Sequence, residues 1–275
     1  MSDKDLEALY ESLKQPGSIK AYEESDKDTL DTLFGFVDFQ KFKEQMLSFK
    51  NAHGADDQGK AETGATGELL SWDKFQEIFA EDTSDKAQGW KKKVETKDKD
   101  FEKTGFKCTI HQKKRGKGLV DMIRLDAKML KADPAGIMNY FYNPPKEKSS
   151  MMKEVRTLEE RPDGKVVYWR FKLPLMSDRD NICFIKETKQ DDGSLFIQCT
   201  TEERDDVPPV KGVVRMYMYV SFWVRPDASN PELWHFTEIE LIDFGGKIPP
   251  ALLNMALASD GLKEFKTMYN HIRIK

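Results

Sequence analysis

The stretch that decides the fold reads Gly164-Lys-Val-Val-Tyr-Trp-Arg-Phe-Lys-Leu-Pro-Leu-Met-Ser-Asp-Arg-Asp-Asn-Ile-Cys-Phe184. Its pattern predicts two strands that are joined by an apolar Pro-Leu-Met loop and an Arg-Asp corner. About sixty residues later, Asp243-Phe-Gly-Gly-Lys-Ile-Pro-Pro-Ala-Leu-Leu-Asn-Met-Ala-Leu257 joins another strand to a long amphipathic helix. Together the two stretches predict a curved sheet that grips this helix around an apolar cavity. Such an arrangement indicates lipid binding rather than bond chemistry.

The residues on either side of these stretches extend the same pattern. Ser71 is a candidate N-cap of a short helix. A second short helix is predicted over 135–142, and a final helix begins near Pro249, where proline suits the first turn. Period-two alternation predicts strands over 89–96, 105–113, 119–129, 151–160, 165–173, 181–188, 194–203, 213–225 and 233–243. The order predicts an α+β domain with a meandering antiparallel sheet.

The N-terminal part has a different composition from the rest. Residues 1–70 carry 8 Lys/Arg against 15 Asp/Glu, whereas the remainder carries 36 against 33. Helical spacing predicts an acidic helical extension over 1–52, and a stretch rich in Gly, Ala, Asp and Thr predicts a flexible linker over 53–68. The main domain is therefore expected over 69–275.

Cysteine usage and hydropathy indicate the compartment in which the protein is expected to function. Three isolated cysteines argue against a disulfide framework and favour a reducing compartment. The acidic N-terminus resembles neither a secretory signal nor a transit peptide. No apolar run approaches the roughly 18 residues of a membrane span. We expect a soluble, cytoplasmic protein.

One face of the predicted sheet should wall the cavity. In the strand over 213–225, alternate residues are apolar, and the strand over 165–173 has the same alternation. Together with apolar residues of the last helix, these residues form the predicted lipid-binding set: Trp169, Phe171, Leu173, Met216, Met218, Val220, Phe222, Leu252, Met255, Ala256 and Ser259. The loop residues Pro174, Leu175 and Met176 are the predicted gate.

Four segments in register resemble the START family, the steroidogenic-acute-regulatory-related lipid transfer domains. They are Val-Val-Tyr-Trp over 166–169, Leu-Pro-Leu-Met-Ser-Asp-Arg-Asp over 173–180, Lys-Gly-Val-Val-Arg over 211–215, and Gly-Gly-Lys-Ile-Pro-Pro-Ala-Leu-Leu-Asn over 245–254. The likeness covers roughly 71–275 and is nearest to the phosphatidylcholine transfer protein branch. It implies a helix-grip fold, with one lipid between the sheet and the C-terminal helix.

The polar signatures of that family do not carry over. Phosphatidylcholine binders of the family have an Arg and a Trp-Asp pair before the Val-Val-Tyr-Trp strand, whereas this chain has Ser150-Met151 at the pair. The position of the arginine in sterol carriers is Ile185 here. The resemblance therefore implies a lipid-binding cavity but does not indicate which headgroup the lipid carries.

No recognised catalytic or metal-binding pattern occurs. The four histidines are scattered, and the chain lacks Cys-x-x-Cys, His-Glu-x-x-His, Gly-x-Ser-x-Gly and Walker sequences. We therefore expect no enzyme activity, no metal and no cofactor beyond the bound lipid. A buried histidine or carboxylate pair facing the cavity would strengthen the catalytic alternative.

A basic segment precedes the middle of the domain. Residues 86–117 hold 12 Lys/Arg against 4 Asp/Glu. One interpretation is solvated strand edges that discourage edge pairing. The other is a surface that docks on anionic lipid, formed by Lys91, Lys92, Lys93, Lys113, Lys114 and Arg115. Nucleic acid is not expected as a partner, because the overall balance is acidic.

These observations predict an intracellular protein that holds one lipid, a phospholipid, in an apolar tunnel and transfers it between membranes. Its expected partners are the lipid, a transient membrane surface, and a protein partner bound through residues 1–52. The alternative from another class is a scaffold that does not transfer lipid, in which side chains fill the cavity and the N-terminal helices bind a protein.

Overall fold

The computed structural model describes residues 71–115, 120–143, 152–172, 177–245 and 250–274, without the side chains of 250–260. The acidic extension over 1–52 and the linker over 53–68 lie outside the described residues. Their proposed boundaries therefore stay predictions.

The described residues form four α-helices and ten strands. The helices are α1 (Trp72–Ala80), α2 (Asp98–Thr104), α3 (Pro134–Tyr142) and α4 (Pro250–Ile272). The strands are β1 (Trp90–Glu95), β2 (Phe106–Lys113), β3 (Met122–Leu130), β4 (Met152–Arg161), β5 (Gly164–Phe171), β6 (Asp178–Lys189), β7 (Leu195–Thr201), β8 (Val213–Arg215), β9 (Tyr217–Pro226) and β10 (Leu233–Asp243).

All ten strands form one sheet, in the order β1-β2-β3-β10-β9-β7-β6-β5-β4, with β8 beside β6. Every pairing is antiparallel except that of β6 with β8. Two meanders, β1 to β3 and β4 to β7, are therefore joined through β9 and β10, and β1 and β4 are the ends of the strand order. The α+β class is confirmed.

The strand predicted over 213–225 is divided at Met216. The first part runs parallel to β6, and the second pairs with β7 and β10. A bidentate ion pair joins the first part to β6, since Arg215 donates to Asp180 Oδ1 at 2.7 Å and to Oδ2 at 3.2 Å. The Met216 amide also donates to the Asp180 carbonyl oxygen at 2.8 Å. The division of the strand at Met216 thus depends on tertiary contacts. The alternation of apolar and polar residues in the sequence does not encode them.

Helix α2 is absent from the sequence-based expectation. Its seven residues contain a single strongly apolar side chain, Phe101, so no amphipathic period is visible. The helix ends at Gly105, which has a φ of 75°, and the Gly105 amide donates to the Phe101 carbonyl oxygen at 2.7 Å.

The two faces of the sheet are covered by different helices. The inner face packs against α3 and α4 in the larger core. The end of α4 is fixed by Tyr269, whose buried hydroxyl lies 2.8 Å from the Leu130 carbonyl oxygen and 3.0 Å from that of Thr104. Helix α1 covers the outer face, and its predicted N-cap is confirmed because Ser71 Oγ accepts from the Lys74 amide at 3.3 Å. The larger core therefore lies between the inner face and the helices α3 and α4.

Candidate functional site

A pocket of about 160 Å³ lies between the inner face of the sheet and helices α3 and α4. We call it the sheet–helix pocket. Its volume is roughly ten times the 10–15 Å³ that admits one water molecule. The residues that line it come from seven strands and both helices: Ile110, Ile123, Leu125, Tyr140, Phe141, Met152, Trp169, Phe171, Cys199, Met218, Val220, Phe222, Glu238, Glu240, Gly261, Glu264, Phe265 and Met268.

Five of the predicted lipid-binding residues line this pocket. They are Trp169, Phe171, Met218, Val220 and Phe222. The structure thus brings together residues of β5 and β9 that are about fifty positions apart in the chain. Their contact with a lipid stays a prediction.

The remaining predicted site residues are placed differently. Met216 is buried in the same core but is not among the residues that line the sheet–helix pocket, because it lies at the break between β8 and β9. Leu173 and the gate residues Pro174, Leu175 and Met176 lie outside the described residues. Helix α4 carries the other four predicted residues, whose side chains the structure does not describe: Leu252, Met255, Ala256 and Ser259.

Helix α3 closes one side of the pocket. Asp133 caps its N-terminus by accepting from the Ala135 amide at 3.0 Å, and Pro134 occupies the first turn. The ring of Phe141 stacks on Phe222 of β9 with centroids 5.1 Å apart. Tyr140 donates to Glu264 Oε1 of α4 at 2.7 Å. These two contacts join α3 to the sheet and to α4 around the pocket.

Two acidic residues of β10, which sequence reasoning missed, face the pocket. Glu238 and Glu240 are two positions apart on one strand, so they lie on the same face, with Cα atoms about 7 Å apart. In the sheet they lie between apolar neighbours, Leu125 and Phe222 beside Glu238, and Ile123 and Val220 beside Glu240. The signal in the sequence was Phe-Thr-Glu-Ile-Glu-Leu-Ile over 236–242, in which charged residues occupy the same face as Phe236 and Ile242.

Burial disfavours the charged form of both carboxyls. Desolvation raises the pKa of Glu238 well above its usual range, and the neighbouring Glu240 raises it further. Desolvation also raises the pKa of Glu240 to about 7. Glu238 is 6% exposed, and neither carboxyl forms a hydrogen bond or ion pair with another residue in the described ranges. Both carboxyls therefore favour the protonated form more than an exposed glutamate does.

A tryptophan from another part of the sheet also lines the pocket. Trp169 on β5 is 3% exposed, and its buried Nε1 has no hydrogen-bond partner among the described residues. Strands β6, β7 and β9 separate β5 from β10 in the sheet order. Trp169 thus contributes its ring to the lining, whereas its N–H is enclosed by the protein.

Comparison with solved structures places this architecture. The structure of human STARD10 matches with a TM-score of 0.59 at 14% identity, covering 74% of this chain and 80% of that chain. The chain has the helix-grip fold of START domains. Human StAR-related lipid transfer protein 5 matches with a TM-score of 0.59 at 14% identity, covering 75% and 94% of the two chains. A STAR-related lipid transfer protein from Xanthomonas axonopodis matches with a TM-score of 0.54 at 18% identity, over 68% and 99%.

These likenesses establish the START fold and leave the branch unresolved. No protein-family model matches the sequence, and neither does any curated protein sequence. The predicted fold is therefore confirmed, including the antiparallel sheet and the C-terminal helix. The nearer likeness to the phosphatidylcholine transfer protein branch stays a prediction.

The predicted membrane-docking residues lie at one edge of the START fold. Strand β1 is the end of the sheet order, and Lys91, Lys92 and Lys93 on it are exposed, as is Lys114 beyond β2. Of these, Lys92 pairs with Glu95 at 2.6 Å. The other two predicted docking residues are partly buried. Lys113 donates to Glu81 at 2.6 Å and lies over the ring of Trp90, and Arg115 is half-buried, so that desolvation lowers its pKa.

The helices that the structure describes include none that is both long and apolar enough to cross a membrane. Within the described ranges, His, Cys, Asp and Glu side chains form no group of three that could hold a metal ion.

Proposed function

We propose that this protein binds one lipid molecule in the sheet–helix pocket and carries it between membranes in the cytoplasm. The observation that carries the proposal is an apolar pocket bounded by the sheet and α4, lined by Met218, Val220 and Phe222. The structures of similar fold include proteins whose names contain the words lipid transfer. All three cysteines are free and buried, which fits a reducing compartment.

Apolar burial supplies the driving force for such a function. A lipid tail gains about 0.8 kcal/mol for each CH2 group that leaves water. A protein pocket can therefore compete with a bilayer without breaking any bond. We expect a phospholipid as cargo, the gate at Pro174, Leu175 and Met176 as its entrance, and Lys91 to Lys93 as part of the surface that meets the membrane.

Native mass spectrometry of the purified full chain tests the proposal. A co-purified ligand of lipid mass, released by organic extraction and identified by fragmentation, supports it. The variant Val220→Trp should exclude the ligand, because its side chain enters the pocket from the middle of β9. Tyr217→Phe is a matched control on the same strand, since Tyr217 is not among the residues that line the pocket and its hydroxyl donates to Glu203 at 3.4 Å.

The opposite outcome would favour the scaffold alternative. If the wild-type protein carries no ligand and takes up none from vesicles, the lipid proposal fails. Capture of a protein partner that requires residues 1–52 would then support a scaffold.

A second candidate function is general acid–base catalysis on the bound ligand. The carboxyl pair Glu238 and Glu240 favours it, because catalytic acids and bases need pKa values shifted toward neutrality. We propose binding as the main function because the remainder of the lining is largely apolar. Incubation of the protein with the identified lipid, followed by mass spectrometry, tests for catalysis. A product that forms with the wild type and not with Glu240→Gln would establish it.

A further inference from the structure

The sheet–helix pocket encloses ionisable groups that the fold itself does not pair. Glu238 and Glu240 face the pocket from β10, and no described residue forms a hydrogen bond or ion pair with either. An unpaired buried charge is costly, and apolar residues at these positions would pack better. The other buried acids differ in this respect. Asp180, for example, is held by two hydrogen bonds from Arg215.

The surroundings of the pair offer no compensating cation. No Lys, Arg or His within the described ranges lines the pocket. The titratable groups that face the pair are Cys199 on β7, Tyr140 on α3 and Glu264 on α4, with Cys108 on β2 close enough for its pKa to be raised by Glu238. The Glu264 carboxylate is already occupied by the Tyr140 hydroxyl.

A ligand in the pocket can supply the missing partner. Glu238 and Glu240 both line the pocket, so a bound molecule can reach them. A purely hydrocarbon ligand would leave both carboxyls unsatisfied. A ligand with polar atoms could satisfy them and so recover the cost of burying them.

We propose that Glu238 and Glu240 bind the protonated amine of an amphiphile whose tail fills the sheet–helix pocket. This inference rests on the proposed lipid-binding function and names the ligand class of the same site. A primary ammonium carries three N–H donors and one positive charge, so it can donate to both carboxylates and restore their ionised form.

Other headgroups fit the pair less well. A phosphate would place negative charge beside two carboxyls in an apolar pocket, where like charges repel strongly. A quaternary ammonium carries the charge but has no N–H to donate. A hydroxyl donates one hydrogen bond and leaves the charge of the pair uncompensated. The amine therefore differs from the alcohol by both charge and donor count.

The test compares four ligands of equal chain length by isothermal titration calorimetry: dodecylamine, dodecanol, dodecyltrimethylammonium and dodecyl phosphate, each below its micelle concentration. We expect dodecylamine to bind about ten- to hundredfold more tightly than dodecanol, the range of a hydrogen bond to a charged group. The double variant Glu238→Gln/Glu240→Gln should reduce the affinity for dodecylamine to that for dodecanol. Glu160→Gln is the matched control, because this carboxyl is exposed on β4 and pairs only with Lys165 among the described residues.

Proton release gives a readout that a merely structural role would not produce. An ammonium lowers the pKa of both carboxyls, so binding of dodecylamine at pH 7 should release protons, measured in two buffers with different ionisation enthalpies. The double variant should release none, and dodecanol should release none from either protein.

Each outcome bears on one of the two claims. Equal binding of amine and alcohol, with no effect of the double variant, overturns the amine site and leaves lipid binding intact. The amine site is also overturned if dodecyl phosphate binds most tightly. Failure of all four ligands to bind, together with an empty protein by mass spectrometry, overturns the proposed function itself.

Discussion

Arg179 on β6 donates from Nε to the carbonyl oxygen of Phe244 at 3.1 Å. This bond links the two stretches that predict the fold, since Arg179 belongs to the Arg-Asp corner and Phe244 to the segment that leads to α4. The same guanidinium donates from Nη1 to the Ser177 carbonyl oxygen at 2.6 Å. It is 4% exposed, and desolvation lowers its pKa. The Arg179 guanidinium is therefore held by backbone acceptors, whereas Arg215 has a carboxylate.

Replacing Arg179 should loosen the junction between β6 and the end of β10. We expect Arg179→Leu to lower the free energy of unfolding by about 2–4 kcal/mol, because buried carbonyl groups lose their donors. Urea unfolding followed by circular dichroism measures the change. Arg170→Leu is a suitable control, since Arg170 pairs with Asp178 at a more exposed site and should cost about 1 kcal/mol or less. Equal losses for the two variants would contradict the assigned role of Arg179.

Helix α1 should be part of the folded domain rather than of the N-terminal extension. Phe75 is fully buried against the outer face of the sheet, where its ring lies 5.2 Å from that of Phe196. We expect Phe75→Ala to destabilise the protein by about 3–5 kcal/mol, the usual cost of emptying such a site. Ligand binding should survive, because the pocket lies on the other face.

Truncation gives an independent check of the same boundary. Removal of 1–66 should leave the melting temperature nearly unchanged, whereas removal of 1–81 also deletes α1 and should lower it strongly. A similar melting temperature for both truncations would place α1 outside the cooperative unit.

The carboxyl pair predicts how stability depends on pH. The pKa of Glu240 is raised from about 4.5 to about 7 by desolvation, so the folded state holds a proton that the unfolded state releases. Stability should therefore fall as pH rises from about 4.5 to about 7 and level off above that range. One pKa unit corresponds to about 1.4 kcal/mol, so the loss due to Glu240 is about 3 kcal/mol.

Chemical unfolding at pH 5 and pH 8 measures this difference. Glu238→Gln/Glu240→Gln should lose the decline and exceed the wild type in stability at pH 8. Parallel pH profiles of the two proteins would show that the pair does not titrate in this range.

The basic edge predicts an ionic contribution to membrane docking. Lys91 and Lys93 are exposed on β1, and each basic residue near an anionic surface contributes about 1 kcal/mol. The double reversal Lys91→Glu/Lys93→Glu should weaken binding to phosphatidylserine vesicles roughly a hundredfold at low salt, as measured by co-sedimentation. Lys189→Glu/Lys211→Glu makes the same charge change at other exposed positions. If both double variants weaken vesicle binding equally, the effect depends on net charge alone and not on the position of the lysines.

Local patterns in the sequence were sufficient to predict most of the secondary structure. Alternation marked every strand, with β8 and β9 merged into one, and Ser71 marked the start of α1. Two features of the secondary structure were not predicted from the sequence. Helix α2 has too few apolar residues for a period, and the break at Met216 depends on Arg215 reaching Asp180 across the sheet.

The sequence by itself determined the alternation of apolar and polar side chains, and with it the inner and outer faces of the strands. This is a local property, because each residue's face follows from its neighbours two positions away. The tertiary structure decided which strands lie side by side and what the inner face encloses. Glu238 and Glu240 became a candidate site only when Leu125 and Phe222, distant in sequence, took positions beside Glu238 and removed water from it. Desolvation depends on all surrounding strands and helices at once, so no single stretch of sequence reveals it.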